Sequence, residues 1–387
     1  MEWLVLADDL TGAADTGLQF AQSGLTTSLV LSECAVQARD TEVLVVDTEN
    51  RRRQDLRAVR QAIVSGWRLR AVEEQQCFLK IDSTMRGHVG IELDALMKVS
   101  KCRTAVITPA YPQNGRKVMG SALYVHGARK GDLLNHLRPF TQSQVHGYRL
   151  DDLRQGRALP MEGIIAADAE TPQDLEHLVI HARSQFGRCL WAGSAGLAKA
   201  LMSSQRRKPH GVNQHVNLPS FQHAFGVVGS QSAVSRRQVE DAERHGMAVF
   251  CWDPVFLLDS LDEAAAIALE ALTVHGTAVA TVSPSKSGDL SGTAAAALGR
   301  LTAAVLLSIT DTALFLTGGD TAYEACRAFG GTRLRVLDAF SEGVPICRVE
   351  DGPERGMFLI TKAGGFGGAS MMRDALDCLR KGGEISG

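Results

Sequence analysis

The sequence lacks several features that mark whole classes of protein. Its 41 lysines and arginines almost balance its 43 aspartates and glutamates, so the formal net charge is −2. Such a chain has no basic field of the kind that attracts nucleic acid or an anionic membrane. No apolar run reaches the ~18 residues that a membrane-spanning helix needs, and aromatic residues make up only 5% of the chain. We therefore expect neither a nucleic-acid nor a membrane partner.

We also expect neither a zinc knuckle nor a disulfide framework. None of the eight cysteines forms a C-x-x-C pair, which favours reduced thiols in a cytoplasmic protein. The opening residues, MEWLVLADD, have no basic segment, so we expect no secretory signal peptide. The sequence does not identify a set of metal ligands.

Three common nucleotide and hydrolase motifs are missing as well. No lysine follows a glycine, which excludes the P-loop G-x-x-x-x-G-K-[ST]. No strand leads into a G-x-G-x-x-G with an acidic residue ~20 positions later, and G-x-S-x-G does not occur. These absences weigh against a dinucleotide dehydrogenase and against a serine hydrolase of the nucleophile-elbow type.

Glycine, by contrast, is plentiful, with 38 among 387 residues. Short apolar runs alternate with helix-like patterns along the chain, and this alternation predicts an α/β fold with mostly parallel sheets covered by helices. The alternation breaks once, in a segment rich in proline and basic residues. We therefore predict two α/β domains, residues 1–203 and 224–387, joined by a linker at 204–223, with a cleft between them that could hold a ligand.

In the first predicted domain, polar side chains follow strands directly. Ligands of open α/β sheets bind beyond the carboxyl ends of the strands, and carboxylates, hydroxyls and cations there suit a small anionic polyol. The alternative is that Asp9 only caps a helix and that Lys80, Asp82 and Arg86 form a structural salt bridge. The candidate substrate-binding residues are Asp8, Asp9, Lys80, Asp82, Ser83, Thr84, Arg86 and Arg116.

In the second predicted domain, glycine-rich turns stand between strands and helices. Backbone amides at a helix N-terminus form a cradle for anions, so several such turns in one domain predict a phosphate-bearing ligand, although each alone could be an ordinary turn. The candidate cofactor-binding residues are Ser230, Gly318, Gly319, Asp320, Thr321, Gly364 and Gly365.

Taken together, these segments resemble the four-carbon acid sugar kinase family. The resemblance runs through ADDLTGAADTG, KIDSTMRG, PAYPQNGR, DAET, LWAGSAGLAKAL, VVGSQSAVSRRQV, TGGDTA and TKAGGFGG, in that order along the whole chain. Two departures fall in the first half. His88 stands where the family pattern suggests asparagine, and ARKGDLLNHLRPF lacks an acid-rich stretch.

The resemblance implies an N-terminal acid-sugar domain and a C-terminal ATP domain. It implies that ATP, with Mg²⁺, phosphorylates the terminal hydroxyl of threonate, erythronate or 3-oxo-tetronate. Asp9, Asp82 and Arg86 become the catalytic candidates, with either Asp9 or Asp82 as the base. Whether the chain forms a homo-oligomer stays open.

Two other functions compete with this interpretation. One is an NAD-dependent oxidoreductase acting on hydroxy acids, and the other is a non-catalytic nucleotide or sugar sensor. The missing dinucleotide motif opposes the first, and the carboxylates at Asp8, Asp9 and Asp82 oppose the second.

Overall fold

The computed structural model describes residues 1–31, 40–70, 75–205, 217–284 and 291–384. It divides into two compact units, Met1–His210 and Gly211–Gly387. The linker predicted at 204–223 falls largely on 206–216, and Cys34 on 32–39, and both segments lie outside the described residues. Within the described ranges, no helix combines the length and apolar character needed to cross a bilayer.

The N-terminal unit alternates strands and helices, as the apolar runs predict. Its strands are β1 Trp3–Ala7, β2 Thr27–Leu31, β3 Val43–Asp47, β4 Gln76–Lys80, β5 Thr104–Thr108, β6 Arg116–Met119, β7 Ala122–Val125, β8 Ala128–Asp132, β9 Val145–Tyr148, β10 Gly163–Ala167 and β11 Leu190–Gly193. Its helices are α1 Leu10–Gln22, α2 Leu56–Arg70, α3 Val89–Ser100, α4 Leu133–Leu137, α5 Leu150–Arg154, α6 Pro172–Gln185 and α7 Ala195–Ser203.

Eight of these strands form a parallel sheet in the order β2-β3-β1-β4-β11-β5-β10-β9. Most of them are buried along their whole length, which explains why they are continuous apolar runs without alternation. After β1 the chain forms β2 and β3 on one side of β1, and it then crosses to form β4 on the other side. The edge beyond β3, β1 and β4 is therefore the switch point at which α/β sheets bind ligands.

The sequence patterns did not indicate the small antiparallel sheet β6-β7-β8. Its first strand follows the turn of 3₁₀ helix at Pro112–Asn114 and begins with the last residue of the segment PAYPQNGR. Strand β8, ARKGD, is almost wholly exposed, so it has no hydrophobic pattern to reveal it.

The C-terminal unit restarts the alternation. Its strands are β12 Asn217–Leu218, β13 His223–Val228, β14 Ala248–Trp252, β15 Thr277–Val282, β16 Thr312–Thr317, β17 Arg333–Ser341, β18 Val344–Val349, β19 Phe358–Lys362 and β20 Gly383–Glu384. Its helices are α8 Ala233–Arg244, α9 Pro254–Asp259, α10 Leu261–His275, α11 Ser291–Ser308, α12 Gly319–Phe329 and α13 Met371–Lys381.

Here the main sheet has the order β14-β15-β13-β16-β19-β18-β17. The first five strands are parallel, whereas β18 and β17 are antiparallel. The sequence patterns did not indicate the hairpin of β17 and β18, in which the pairing of the two strands is interrupted by irregularities. Strands β13, β16 and β19 are neighbours, so the turns that follow them share one edge of the sheet.

One core cluster of this unit lies between the sheet and the helices α8 and α13. Phe315 of β16 and Ile360 of β19 belong to it and are fully buried, together with Met372 and Leu376 of α13. This packing fixes the three central strands, and hence the position of their carboxyl ends.

Candidate functional site

Three loops of the N-terminal unit meet at the carboxyl ends of β3, β1 and β4. The loop after β1 carries Asp8 and Asp9, and the loop after β4 carries Asp82 and Arg86. The loop after β3 contributes Arg51, which the sequence reasoning missed. The signal was present, because a strand ending at Asp47 precedes the run of arginines at 51–53, but the sequence does not reveal that β3 lies beside β1.

Arg51 binds three carboxylates at once. Its guanidinium donates to both oxygens of Asp8 at 2.9 and 2.7 Å, contacts Asp9 at 2.7 Å and lies 3.8 Å from Asp82. Burial raises the pKa of Asp8 although Arg51 opposes that effect. The charges of Asp9 and Asp8 hold the pKa of Arg51 well above its usual value in spite of burial. Without this arginine the acidic groups could not all be buried in their charged form.

Asp82 is held in its ionised form from several directions. Arg86 donates to its two oxygens at 3.0 and 2.8 Å, and the amide and hydroxyl of Thr84 donate to one of them. Although burial alone would raise it, these bonds and the charge of Arg51 hold the pKa of Asp82 well below its usual range. Met85 in the same loop has φ of 64°, a left-handed conformation that is uncommon for methionine.

Asp9 combines two roles that the sequence presented as alternatives. It caps α1 by accepting from the Gly12 amide at 3.1 Å, and it also accepts from the Thr11 hydroxyl at 2.9 Å. It still faces Arg51 in the site. Lys80 is buried. Its Nζ lies beside Gly12, where an added Cβ atom would be 2.5 Å away from it.

Arg116 also approaches this site. Its guanidinium donates to the carbonyl of Asn114, while its Nε is buried without a hydrogen-bond partner among the residues described. Burial lowers the pKa of Arg116, and the charges of Asp82 and Arg86 also act on it. The loops after β4 and β5 therefore lie close together. Ser83 is half-buried in the first of them.

Other segments of the resemblance have structural roles. Asp168 of the DAET segment accepts from the amides of Gly120 and Ser121 at 2.7 and 2.8 Å and so anchors the small sheet. Ser194 caps α7 and donates to the carbonyl of Ala110 at 2.7 Å. The ring of His88 lies 2.7 Å from the carbonyl oxygen of Arg53.

A buried glutamate, Glu92, lies behind Arg51. Glu92 is buried on α3 and accepts a 2.9 Å hydrogen bond from Asn50, the residue that precedes Arg51. Its other carboxyl oxygen has no hydrogen-bond partner within the described chain. The pKa of Glu92 is raised to about 8, mainly because the carboxyl group is buried and to a smaller extent because Asp8 is negatively charged. Burial therefore favours the protonated form of Glu92.

In the C-terminal unit, the turns after β13, β16 and β19 are packed against one another. The hydroxyls of Ser232 and Ser235 donate to the carbonyl of Gly364 at 2.6 and 3.0 Å. A Cβ atom on Gly364 would collide with the side chain of Ser230. The glycine at this position is thus required for the close approach of two turns.

Helix α12 begins in this cluster without a side-chain cap. Gly318 precedes it with φ of 103°, a conformation that favours glycine. Gly319, Asp320 and Thr321 form its first turn, and Gly365 has open space around it. An uncapped helix N-terminus beside a glycine turn is a suitable site for phosphate. The structure therefore groups all seven candidate cofactor-binding residues at one edge.

Two family models match separate parts of this chain. The sugar-binding N-terminal domain family matches residues 3–156, and the nucleotide-binding C-terminal domain family matches residues 225–372. A D-threonate kinase of Salmonella typhimurium is 31% identical, over 97% of this chain and 98% of its own. The chain belongs to the four-carbon acid sugar kinase family. It is accordingly an enzyme of the phosphotransferase class.

Other relatives of this chain carry related names. A 3-oxo-tetronate kinase of Methylobacterium radiotolerans is 29% identical over 97% of this chain and 98% of its own. A D-erythronate kinase of Heliobacterium modesticaldum is 27% identical over 62% of this chain and 60% of its own. Among solved structures, a chain described as the putative tRNA synthase from Salmonella typhimurium LT2 has a TM-score of 0.77 at 22% identity, covering 97% of this chain and 98% of its own. That likeness supports the fold.

Replacing Arg51 should destabilise the kinase in a pH-dependent way. In Arg51→Met, three buried carboxylates lose their shared cation, which should cost about 3–5 kcal/mol of unfolding free energy at neutral pH. The loss should shrink on acidification, because protonated carboxyls no longer repel one another. Urea unfolding at several pH values would measure this, with the exposed Arg57→Met as control. An equal loss at every pH would contradict the electrostatic explanation.

Replacing Glu92 should have the opposite effect. The folded protein keeps Glu92 protonated up to about pH 8, whereas the unfolded chain releases that proton near its ordinary pKa of ~4.3. Stability is therefore lost as pH rises between these values. Glu92→Gln should be more stable on the order of 1–3 kcal/mol at alkaline pH, with little difference in acid. Calorimetry would test this, with the exposed Glu162→Gln as control, and a destabilised variant at every pH would refute it.

Proposed function

We propose that this kinase transfers the γ-phosphoryl group of ATP to the terminal hydroxyl of a four-carbon acid sugar. The observation that carries the proposal is the charged cluster around Arg51, in a chain of this family whose other unit holds an uncapped glycine cradle. D-Threonate is the first substrate to test, since a relative 31% identical is named for it. D-Erythronate and 3-oxo-tetronate come next.

The charge balance of the cluster suits a small monoanion. Asp8, Asp9 and Asp82 are matched in number by Arg51, Lys80 and Arg86. Arg116 adds one further positive charge and has a buried, unpaired Nε in the described chain. Arg86, whose side chain is 66% exposed, and Arg116 would bind the sugar carboxylate, because guanidinium groups bind carboxylates through paired hydrogen bonds. The aspartates would accept hydrogen bonds from the sugar hydroxyls.

Asp9 is the better candidate for the base. The bonds from Arg86 and Thr84 and the charge of Arg51 keep the pKa of Asp82 low, which weakens it as a proton acceptor. Asp9 is also hydrogen-bonded, but its donors besides Arg51 are the neutral amide of Gly12 and hydroxyl of Thr11. Asp9 would accept the proton of the attacking hydroxyl while the hydroxyl oxygen bonds to the γ-phosphorus and ADP leaves. Phosphoryl transfer depends mainly on positioning and charge, so Asp82 would serve to orient the sugar through Arg86.

The ATP phosphates would lie among the glycine turns and the start of α12, next to Ser230, Gly318, Gly319, Thr321, Gly364 and Gly365. Mg²⁺ in such sites is usually held by one or two carboxylates together with phosphates and water. Asp320 in the first turn of α12 supplies one carboxylate, so the donor chemistry fits. No group of three or more potential metal ligands occurs among the described side chains. Bound Mg²⁺ would neutralise phosphate charge.

We also infer a cytoplasmic location, where ATP is supplied and thiols stay reduced. All seven cysteines that the structure describes are free.

An acid panel tests the activity. The purified kinase with ATP and Mg²⁺ should release ADP in the presence of D-threonate, D-erythronate or 3-oxo-tetronate, and mass spectrometry should detect the phosphorylated acid. An NAD-dependent oxidoreductase would instead change nicotinamide absorbance, and a sensor would bind ligands without turnover. ADP release that does not depend on any acid would refute the proposal.

Two substitutions distinguish the aspartates. Asp9→Asn should lower kcat by about 10²–10⁴ and should still fold, because asparagine is also a good N-cap. Asp82→Asn should mainly raise KM for the acid. The exposed Asp55→Asn provides the matched control. A loss of kcat confined to Asp82→Asn would assign the base to Asp82 instead.

A further inference from the structure

Lys362, the last residue of β19, is a buried charged side chain in the described part of the C-terminal unit. Its side chain is 1% exposed, and its Nζ has no hydrogen-bond partner within the described residues. Burial lowers the pKa of Lys362 to about 8. A buried lysine without a partner is strongly disfavoured in its charged form, and a lysine is rarely buried in this way unless something pairs with it.

A second unpaired polar atom lies next to this lysine. Lys362 is in register with Thr317 of the neighbouring strand β16, so both side chains project from the same face of the sheet. The hydroxyl of Thr317 is also buried with no partner in the described chain. Two polar side chains without partners at the ends of adjacent strands indicate a position prepared for a ligand, because buried polar groups are otherwise almost always hydrogen-bonded.

The backbone of Lys362 connects two turns of the phosphate cradle. Its carbonyl accepts from the amide of Gly318 at 3.1 Å, directly before the uncapped helix α12. The chain then turns at Gly364, whose carbonyl is held by Ser232 and Ser235. Lys362 thus lies at the base of the cradle, where its charge would act together with the helix dipole on a bound anion.

We propose that Lys362 is a further nucleotide-binding residue, whose ammonium, with the hydroxyl of Thr317, pairs with the phosphates of the bound nucleotide. The proposal rests on the proposed function of this unit as the ATP site. It gives the kinase a cationic phosphate ligand although its sequence has no P-loop lysine. In the free protein the amine is partly neutral in mildly alkaline solution, and binding of the anion would restore its proton.

Nucleotide titrations compare the wild type with Lys362→Met, which keeps an unbranched side chain one atom shorter than lysine and removes the charge. The variant should bind ADP and a non-hydrolysable ATP analogue on the order of ten- to a hundredfold more weakly, while its affinity for adenosine stays unchanged. Lys381→Met provides the control, since Lys381 is exposed at the end of α13. Thr317→Val should weaken ADP binding in the same direction and to a smaller extent.

Proton uptake gives a readout that a merely structural lysine would not change. The phosphates of ADP are already ionised at about pH 8.5, so calorimetry of ADP binding in buffers of different ionisation enthalpy would report the amine. The wild type should take up most of one proton, and Lys362→Met should take up none. Since this measurement can be made on the wild type alone, it tests the proposal even if the variant fails to fold.

The possible results separate the two proposals. If Lys362→Met binds ADP as the wild type does, or if the wild type takes up no proton, Lys362 is not a phosphate ligand and the kinase function is unaffected. If the wild type binds no adenine nucleotide, both proposals fail. If nucleotide binding depends on Lys362 but no acid is phosphorylated, the role of Lys362 stands and the proposed substrate class is wrong.

Discussion

The N-terminal unit depends on the neutralisation of three buried carboxylates by one arginine. Asp8, Asp9 and Asp82 come from two loops, and Arg51 from a third. Burying each carboxylate alone would destabilise the fold, and the shared guanidinium offsets both the loss of hydration and the repulsion between the three negative charges. The same contact therefore holds the loops after β1, β3 and β4 together and places acceptors for sugar hydroxyls at the edge of the sheet.

The C-terminal unit has to bind negative charge rather than bury it, and it uses different groups. A phosphate ligand is strongly negative, so the cradle consists of backbone amides, small side chains and a helix N-terminus. Glycine is required where turns touch, as at Gly364, or where φ is positive, as at Gly318. Lys362 is the exception, because it is a long charged side chain in the interior. Residues that break the rules of burial in this way are often functional.

Much of the N-terminal site could be predicted because its residues follow apolar strands directly. Asp8, Asp9, Lys80 and Asp82 are adjacent to β1 and β4 in the sequence, and the structure brings them together. Arg51 could not be predicted, because its relevance depends on the pairing of β1 with β3. Glu92, and the lack of a partner for the ammonium of Lys362, could not be predicted for a related reason. Their importance comes from burial without a full set of partners, which depends on what surrounds them.

The α/β class, the glycine turns and the family could be inferred from the amino-acid sequence, because they follow from local patterns of apolar residues and from motifs read in order. Three features needed the folded chain: which strand ends are neighbours, which arginine neutralises which carboxylate, and which lysine is left without a partner. Strand order and burial arise from contacts between residues far apart in the chain. Local sequence patterns carry little information about those contacts.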